Sequence, residues 1–467
     1  MAIFLAYLPL WKEALVLAWP VMLNHIFVTA MRTTDMILMG YFGPAAVTAV
    51  GLGDVWESII LRIGLGLGTG SISLISQESG SKSELAAANK DIILSQVIFV
   101  SLIIGIPFIF IALFFAEKMI AVLGAAPEVI KLGSQYLLII FAAAPFRIVS
   151  IIAARALQGS GDTRTPMVVE VIANVINIVI SVVLALGIGP FPELGVPGVG
   201  IGTFTAKTLS AVIFILIFLS SKSEFNLKNP IKHWNFILIK QLFKVSLPKI
   251  TEGLYQSLIT FPFNSIVLLF GTEAAAAYHI ARRVFQQLIA PMHRSYYTVT
   301  TILSGQKIGA AKIDESKKTV EAILILTLIS IGSFSLIIFY NAAYLVRLFG
   351  DNPETLRIAV RFLKALSIGG PVITIYGVLA GHLNGAGNTS SALYGNLISQ
   401  TLLKLGLSYI LAVFFDLGII GVLIALPADF LGRALWVGRK YLSDDWIAEA
   451  DLMISERRKS DKLCRSK

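Results

Sequence analysis

LQGSGDT, residues 157–163, recurs as LNGAGNT at 383–389. The two copies do not stand alone. Pro20 and Gly43 recur as Pro248 and Gly271, and GPAAVTAV at 43–50 is answered by GTEAAAAY at 271–278. QESG at 77–80 returns as QKIG at 306–309, GAAPE at 124–128 as GDNPE at 350–354, and Pro145 as Pro371. LGVPGVGI at 194–201 is matched by LGIIGVLI at 417–424. The order is kept and the offset drifts little, so the chain is a tandem duplication.

What is duplicated follows from composition. The chain is 56% hydrophobic and 14% charged, with mean hydropathy +0.80. Soluble domains carry about a quarter charged residues. Apolar runs long enough to cross roughly 30 Å of hydrocarbon recur from end to end. The fold class expected is therefore an all-α polytopic membrane protein. About twelve transmembrane helices form two six-helix bundles related by an internal pseudo-two-fold repeat. The spans lie near 13–40, 47–76, 91–115, 131–155, 165–187, 196–219, 238–269, 273–304, 319–346, 356–382, 390–414 and 417–438. The bundles occupy 1–220 and 246–440, joined by a loop at 221–245 and followed by a basic tail at 441–467, read as solvated near anionic headgroups. An even number of spans per repeat sets both halves the same way up, about an axis along the membrane normal.

Charge gives the orientation. Lys and Arg gather in alternate connections: Lys82 and Lys90; Arg155 and Arg164; Lys222, Lys228, Lys232, Lys240 and Lys244; Lys307, Lys312, Lys317 and Lys318; and the tail from Arg439 to Lys467. The opposite connections hold only Lys118, Lys131, Arg347 and Arg357. Basic loops stay cytoplasmic, so both termini are expected inside a plasma (inner) membrane, multi-pass. The formal charge of +10 reflects this bias and no nucleic-acid partner. The start lacks a basic region before the first apolar run, so no cleavable signal is expected. The single cysteine, Cys464, excludes a disulfide framework. The histidines show no metal-ligand spacing, and no nucleophile–histidine arrangement suggests an enzyme. No GxxxxGK[ST] loop is present to bind ATP. GLGLGTG at 64–70 looks like a phosphate loop but lies inside a span, where small residues serve close helix packing.

The sequence resembles the multidrug and toxic compound extrusion (MATE) family. Four features carry the likeness. Pro20 is followed by Asp35 and a short Gly40–Gly43 turn. A glycine-rich second span ends in Gln77-x-x-Gly80. LQGSGDTRTP opens span 5, and Asn174 and Asn177 lie on that span. The resemblance covers essentially the whole chain. It implies a secondary active antiporter that exports small organic, often cationic, drug-like compounds by alternating access, in exchange for H⁺ or Na⁺. It needs no cofactor and no ATP and works as a monomer in the bilayer. A lipid-linked saccharide flippase of the same broad superfamily is the alternative.

A charge within the membrane is costly and usually functional. Asp35 lies about six residues below the outer end of span 1, roughly 9 Å deep. Asn177, Ser181, Thr203 and Thr205 fall at similar depth, and Asn174, Asn177 and Ser181 share one helical face. The cation-coupling set expected is Asp35, Asn174, Asn177, Ser181 and Thr203. The resembled family's ion site uses the span 1 aspartate with polar partners on spans 5 and 6, which Asp35, Asn177 and Thr203 match. Where some members carry a second span 5 acid, this chain has Ser181, which favours H⁺ over Na⁺ at Asp35. No structural metal is expected. In the second half, position 35 maps onto Phe263 and Asn177 near Leu403, so ion handling is expected in the first half. Arg32, three residues before Asp35, is a candidate structural partner for it. Glu57 is a candidate cavity or ion residue, Lys207 a counter-charge to Asp35 or Glu57, and Glu252 a contact for a cationic substrate, paired with Lys249.

Overall fold

A computed structural model describes residues 2–81, 83–221 and 223–465. Lys82, Lys222 and Lys467 lie outside it, as do the side chains of Lys462, Cys464 and Arg465. The fold is all helical. The helices are α1 (Ala2–Tyr41), α2 (Pro44–Ser81), α3 (Glu84–Ala121), α4 (Pro127–Ala142), α5 (Ala144–Ser160), α6 (Arg164–Leu186) and α7 (Val196–Leu219). Then follow α8 (Phe236–Leu258), α9 (Thr260–Leu268), α10 (Thr272–Leu288), α11 (Ala290–Gly309), α12 (Ile313–Tyr340), α13 (Ala342–Arg347) and α14 (Pro353–Gly385). Last come α15 (Ser390–Ser399), a π-helical turn (Gln400–Gly406), α16 (Leu407–Tyr409), a second π turn (Ile410–Phe414), α17 (Ile419–Leu442) and α18 (Asp445–Arg465).

Among the described residues, nine helical segments are long and apolar enough to cross a membrane, and α4–α5, bent by 47°, makes a tenth. The two remaining expected spans, 238–269 and 273–304, are the helix pairs α8–α9 and α10–α11, each interrupted at one residue, Ile259 and Ile289. Pro145 stands at the start of α5, next to the bend. Its repeat counterpart, Pro371, lies inside the unbroken α14.

The repeated motifs are turn chemistry. Gly43 and Gly271 both have left-handed backbone, φ 93° and 102°, which favours glycine after each first span. In LQGSGDT, Asp162 accepts hydrogen bonds from the Arg164 and Thr165 amides at 3.0 and 2.9 Å, capping α6. In LNGAGNT, Asn388 does the same for the Ser391 amide at 3.1 Å.

The chain groups into two compact units. One comprises residues 23–75 and 83–250. In it, α3 packs on α4 and α5, and α7 packs on α4, α5 and α6. The glycines of 64–70 serve packing: a side chain at Gly64 would meet Ile148 and Ile151, at Gly66 Ile250, at Gly68 Arg155 and at Gly70 Ser246. The connection after α7 is fastened to α3. Asp91 accepts from the Asn226 amide and Ser95 from the Lys228 amide, both at 2.8 Å, while Gln96 donates to the His233 carbonyl at 2.9 Å.

The other unit comprises 1–22, 76–82 and 251–467. Its centre is α14, which packs against α10, α11, α12 and α17. The two Q-x-x-G motifs meet within this unit. A side chain on Gly80 would strike the Gln306 backbone, and one on Gly309 would strike the Gln77 backbone. The segment expected as a solvated tail is instead α18, with Trp446, Ala450, Met453 and Arg457 buried. Trp446 stacks edge-on to His382 at 4.3 Å, and Arg457 is held by Gln77 and Glu78, each at 2.7 Å. These four residues are spaced three or four apart, which gives the helix one inward face.

Candidate functional site

Asp35 is carried by α1 and is 9% exposed. Its Oδ1 is fully buried and has no hydrogen-bond partner among the described residues. Asn174, Asn177 and Ser181 project from one face of α6 and are completely buried, and Thr203 on α7 is nearly so. These residues form a chain. Ser181 donates to Asn177 Oδ1 at 3.2 Å, and Asn177 Nδ2 donates to Thr203 Oγ1 at 3.2 Å. The Ser181 hydroxyl also acts on Asp35. Asn174 contributes an amide with neither Oδ1 nor Nδ2 bonded. Gly202 lets α7 lie flush on α6 here, since any side chain would strike Ser181 Oγ.

Asp35, Asn177, Ser181 and Thr203 thus come together, with Asn174 one turn further along α6. The cluster presents one carboxylate, two amide oxygens and two hydroxyls. Such hard oxygen donors suit a proton or a small hard cation. An unpartnered carboxylate oxygen in a buried setting leaves a desolvation cost that a bound cation or proton would offset.

The surrounding charges differ from expectation in three ways. Arg32 does not form an ion pair with Asp35. It is exposed, and no carboxylate lies within ion-pair distance of it among the described residues. Arg32 acts on both Asp54 and Asp35 through its charge. Lys207 is no counter-charge to Asp35 or Glu57, because Glu170 takes it at 2.9 Å, with Ser150 donating to Glu170 at 2.8 Å. Glu57 does not face water. It is 6% exposed and ion-paired with Arg147.

The second acid near Asp35 is Asp54, which accepts a hydrogen bond from Tyr136 at 3.3 Å. Nothing in the sequence links Tyr136 on α4 to the cluster. In the other unit, Glu252 accepts from Asn396 at 2.8 Å and from Tyr376 at 3.4 Å. Among the aromatic residues of this unit, Phe263, Tyr278, Phe285, Tyr296 and Tyr376 are buried, while Phe261 is 62% exposed.

Comparison with known proteins agrees with this arrangement of repeats. A model of the MatE family matches twice, over residues 20–183 and 248–410. The chain is similar to the "Probable multidrug resistance protein NorM" of Thermotoga maritima, 25% identical over 444 residues, 94% of each chain. It is also similar to the "Probable multidrug resistance protein YoeA" of Bacillus subtilis, 23% identical over 430 residues, 90% of this chain and 91% of that one. A solved outward-facing multidrug resistance MATE family transporter shares the fold, with a TM-score of 0.83 at 20% identity over 96% of both chains. With both halves matched by the family model, this chain belongs to the MatE family of multi-pass membrane transporters, the multidrug and toxic compound extrusion family.

Proposed function

We propose that the protein is a secondary antiporter that exports small organic, often cationic compounds in exchange for H⁺, or alternatively Na⁺. Asp35 is the coupling carboxylate, with Asn174, Asn177, Ser181 and Thr203 around it. One observation carries the reading: Asp35 Oδ1 is buried and unpartnered among the described residues. Ion or proton binding supplies the missing partner. Neutralising the carboxylate removes its desolvation cost and lets α1 repack against α6 and α7, so the empty and loaded sites favour different packings. The two halves of the repeat, 1–220 and 246–440, act as the moving bundles, and the protein works as a monomer in the plasma membrane with both termini cytoplasmic.

The flippase alternative needs free cations for a pyrophosphate. Two of the intramembrane cations that could serve it, Arg147 and Lys207, are neutralised by Glu57 and Glu170, which favours the antiporter.

The test uses inside-out vesicles loaded with a fluorescent organic cation under an imposed proton or sodium gradient. One gradient should drive movement, and Asp35→Asn should reduce it to the level of protein-free vesicles. Transport by Asp35→Asn equal to that of the parent would remove Asp35 from the mechanism.

A further inference from the structure

The second copy of the repeat holds a different chemistry at the place of the ion site. The position of Asp35 is taken by Phe263, and Asn174 falls opposite Gln400 at the offset that aligns LQGSGDT with LNGAGNT. One turn after Gln400 stands Lys404. Its side chain is 9% exposed, and its ammonium lies over the Phe263 ring, 4.5 Å from the centroid. Where the first half buries a carboxylate, the second buries a cation against an aromatic face.

Lys404 is not neutralised by a protein carboxylate. No acid lies within 4 Å of it among the described residues. Asp429, the acid acting on it, is already occupied. Arg433 grips both its oxygens, through Nε at 2.9 Å and through a second guanidinium nitrogen, and Ser399 donates to Oδ1 at 2.8 Å. Arg282 and Arg433 add positive charge nearby. Gln400 is 1% exposed, and its Nε2 is buried with no acceptor among the described residues. Both donors sit on the π-helical turn Gln400–Gly406, a helix form that recurs at functional sites. A buried amide donor without an acceptor is expensive, and an intramembrane lysine with no carboxylate within ion-pair distance among the described residues points to a ligand.

We propose that Lys404 and Gln400, with the Phe263 ring beside them, form a binding site for a single carboxylate borne on an apolar aromatic body. Lys404 supplies the counter-charge and Gln400 a hydrogen bond, while Phe263 and Tyr278, packed edge to face at 5.2 Å, supply apolar surface. One ammonium and one amide suit a monocarboxylate better than a pyrophosphate. The site rests on the exporter reading and deepens it by giving the exported compounds a zwitterionic or anionic class.

The test is equilibrium binding without any gradient, so that it does not depend on coupling through Asp35. Purified full-length protein in nanodiscs is titrated with tetramethylrhodamine, a zwitterion with one carboxylate, and with its methyl ester, a cation on the same scaffold, read by fluorescence anisotropy. Lys404→Gln should weaken acid binding at least about tenfold, as loss of a charged hydrogen-bond partner implies, and change ester binding by less than about twofold. Lys404→Arg should keep the preference for the acid. Gln400→Leu should weaken the acid severalfold, and it serves if Lys404→Gln does not fold. Equal loss of acid and ester, no change in either, or no acid binding by the parent overturns the proposal. Displacement of the acid by micromolar inorganic pyrophosphate also overturns it and assigns the site to phosphate. Failed gradient-driven transport with intact Lys404-dependent binding would overturn only the coupling reading.

Discussion

Asn174 separates a structural role from a functional one more sharply than Asp35 does. Both polar atoms of its side chain are buried without partners, a state that costs about 1–3 kcal/mol in a folded protein. Asn174→Leu keeps the volume and removes the orphaned amide. It should raise thermal stability in detergent while lowering gradient-driven transport, and a variant that is less stable or fully active would take Asn174 out of the site. The Glu57–Arg147 pair behaves in the opposite way. Glu57→Gln leaves a buried guanidinium uncompensated and should cost about 3–5 kcal/mol. Adding Arg147→Met to it should recover most of that loss, because both charges are then gone. A melting series of parent, single and double variants checks this, and a double variant no more stable than the single one would mean the pair is not the reason for the loss. Asp35 was legible in the sequence because a lone acid in an apolar run is conspicuous. Its lack of a partner was not, because helical spacing put Arg32 within reach and only the fold leaves that side chain exposed.

At the scale of elements, most spans were legible because hydropathy and length are local properties of the chain. The motifs at 157–163 and 383–389 were legible as repeats, and the fold explains them as capped helix starts. The interruptions at Ile259 and Ile289 have a local signal, because Pro262 and Pro291 stand three and two residues after them, as Pro145 does after the α4–α5 break, and a proline disrupts the turn before it. The π turn at Gln400 was not legible, because neither glycine nor proline stands where it opens. The tail was misread because its average composition is polar, while its burial rests on four residues spaced along one face of α18. The two Q-x-x-G motifs show how a sequence repeat becomes a contact: each glycine is the gap into which the other motif's backbone fits. Gly309→Ala forces the Gln77 backbone to shift and should cost about 1–3 kcal/mol, as overpacking does. Gly332→Ala, at a helical glycine with open space around it, is the control and should melt like the parent. Equal melting of the two variants would mean that the close approach is not required.

For the whole molecule, the duplication conserves backbone more than chemistry. Left-handed glycines recur at Gly43 and Gly271 and at Gly195 and Gly418, but Asp35 has become Phe263, and the helix facing it has gained Lys404. A duplicated scaffold whose halves diverge in charge can bind two unlike partners, one positive and one negative, without either site competing for the same residues. That division requires a fixed orientation in the membrane, and the positive-inside reading of the basic connections proposes one with both termini cytoplasmic. The chain carries one cysteine, Cys464, near its end, so the native protein reports its own topology. A membrane-impermeant maleimide should label it in inside-out vesicles and leave it unlabelled in intact cells. A second variant, Cys464→Ser with Lys118→Cys, places the only thiol in an opposite connection and should reverse both results. Labelling of Cys464 in intact cells, together with protection of the thiol introduced by Lys118→Cys, would invert the protein, placing the basic loops outside and reversing the direction assigned to the ion and to the exported compound.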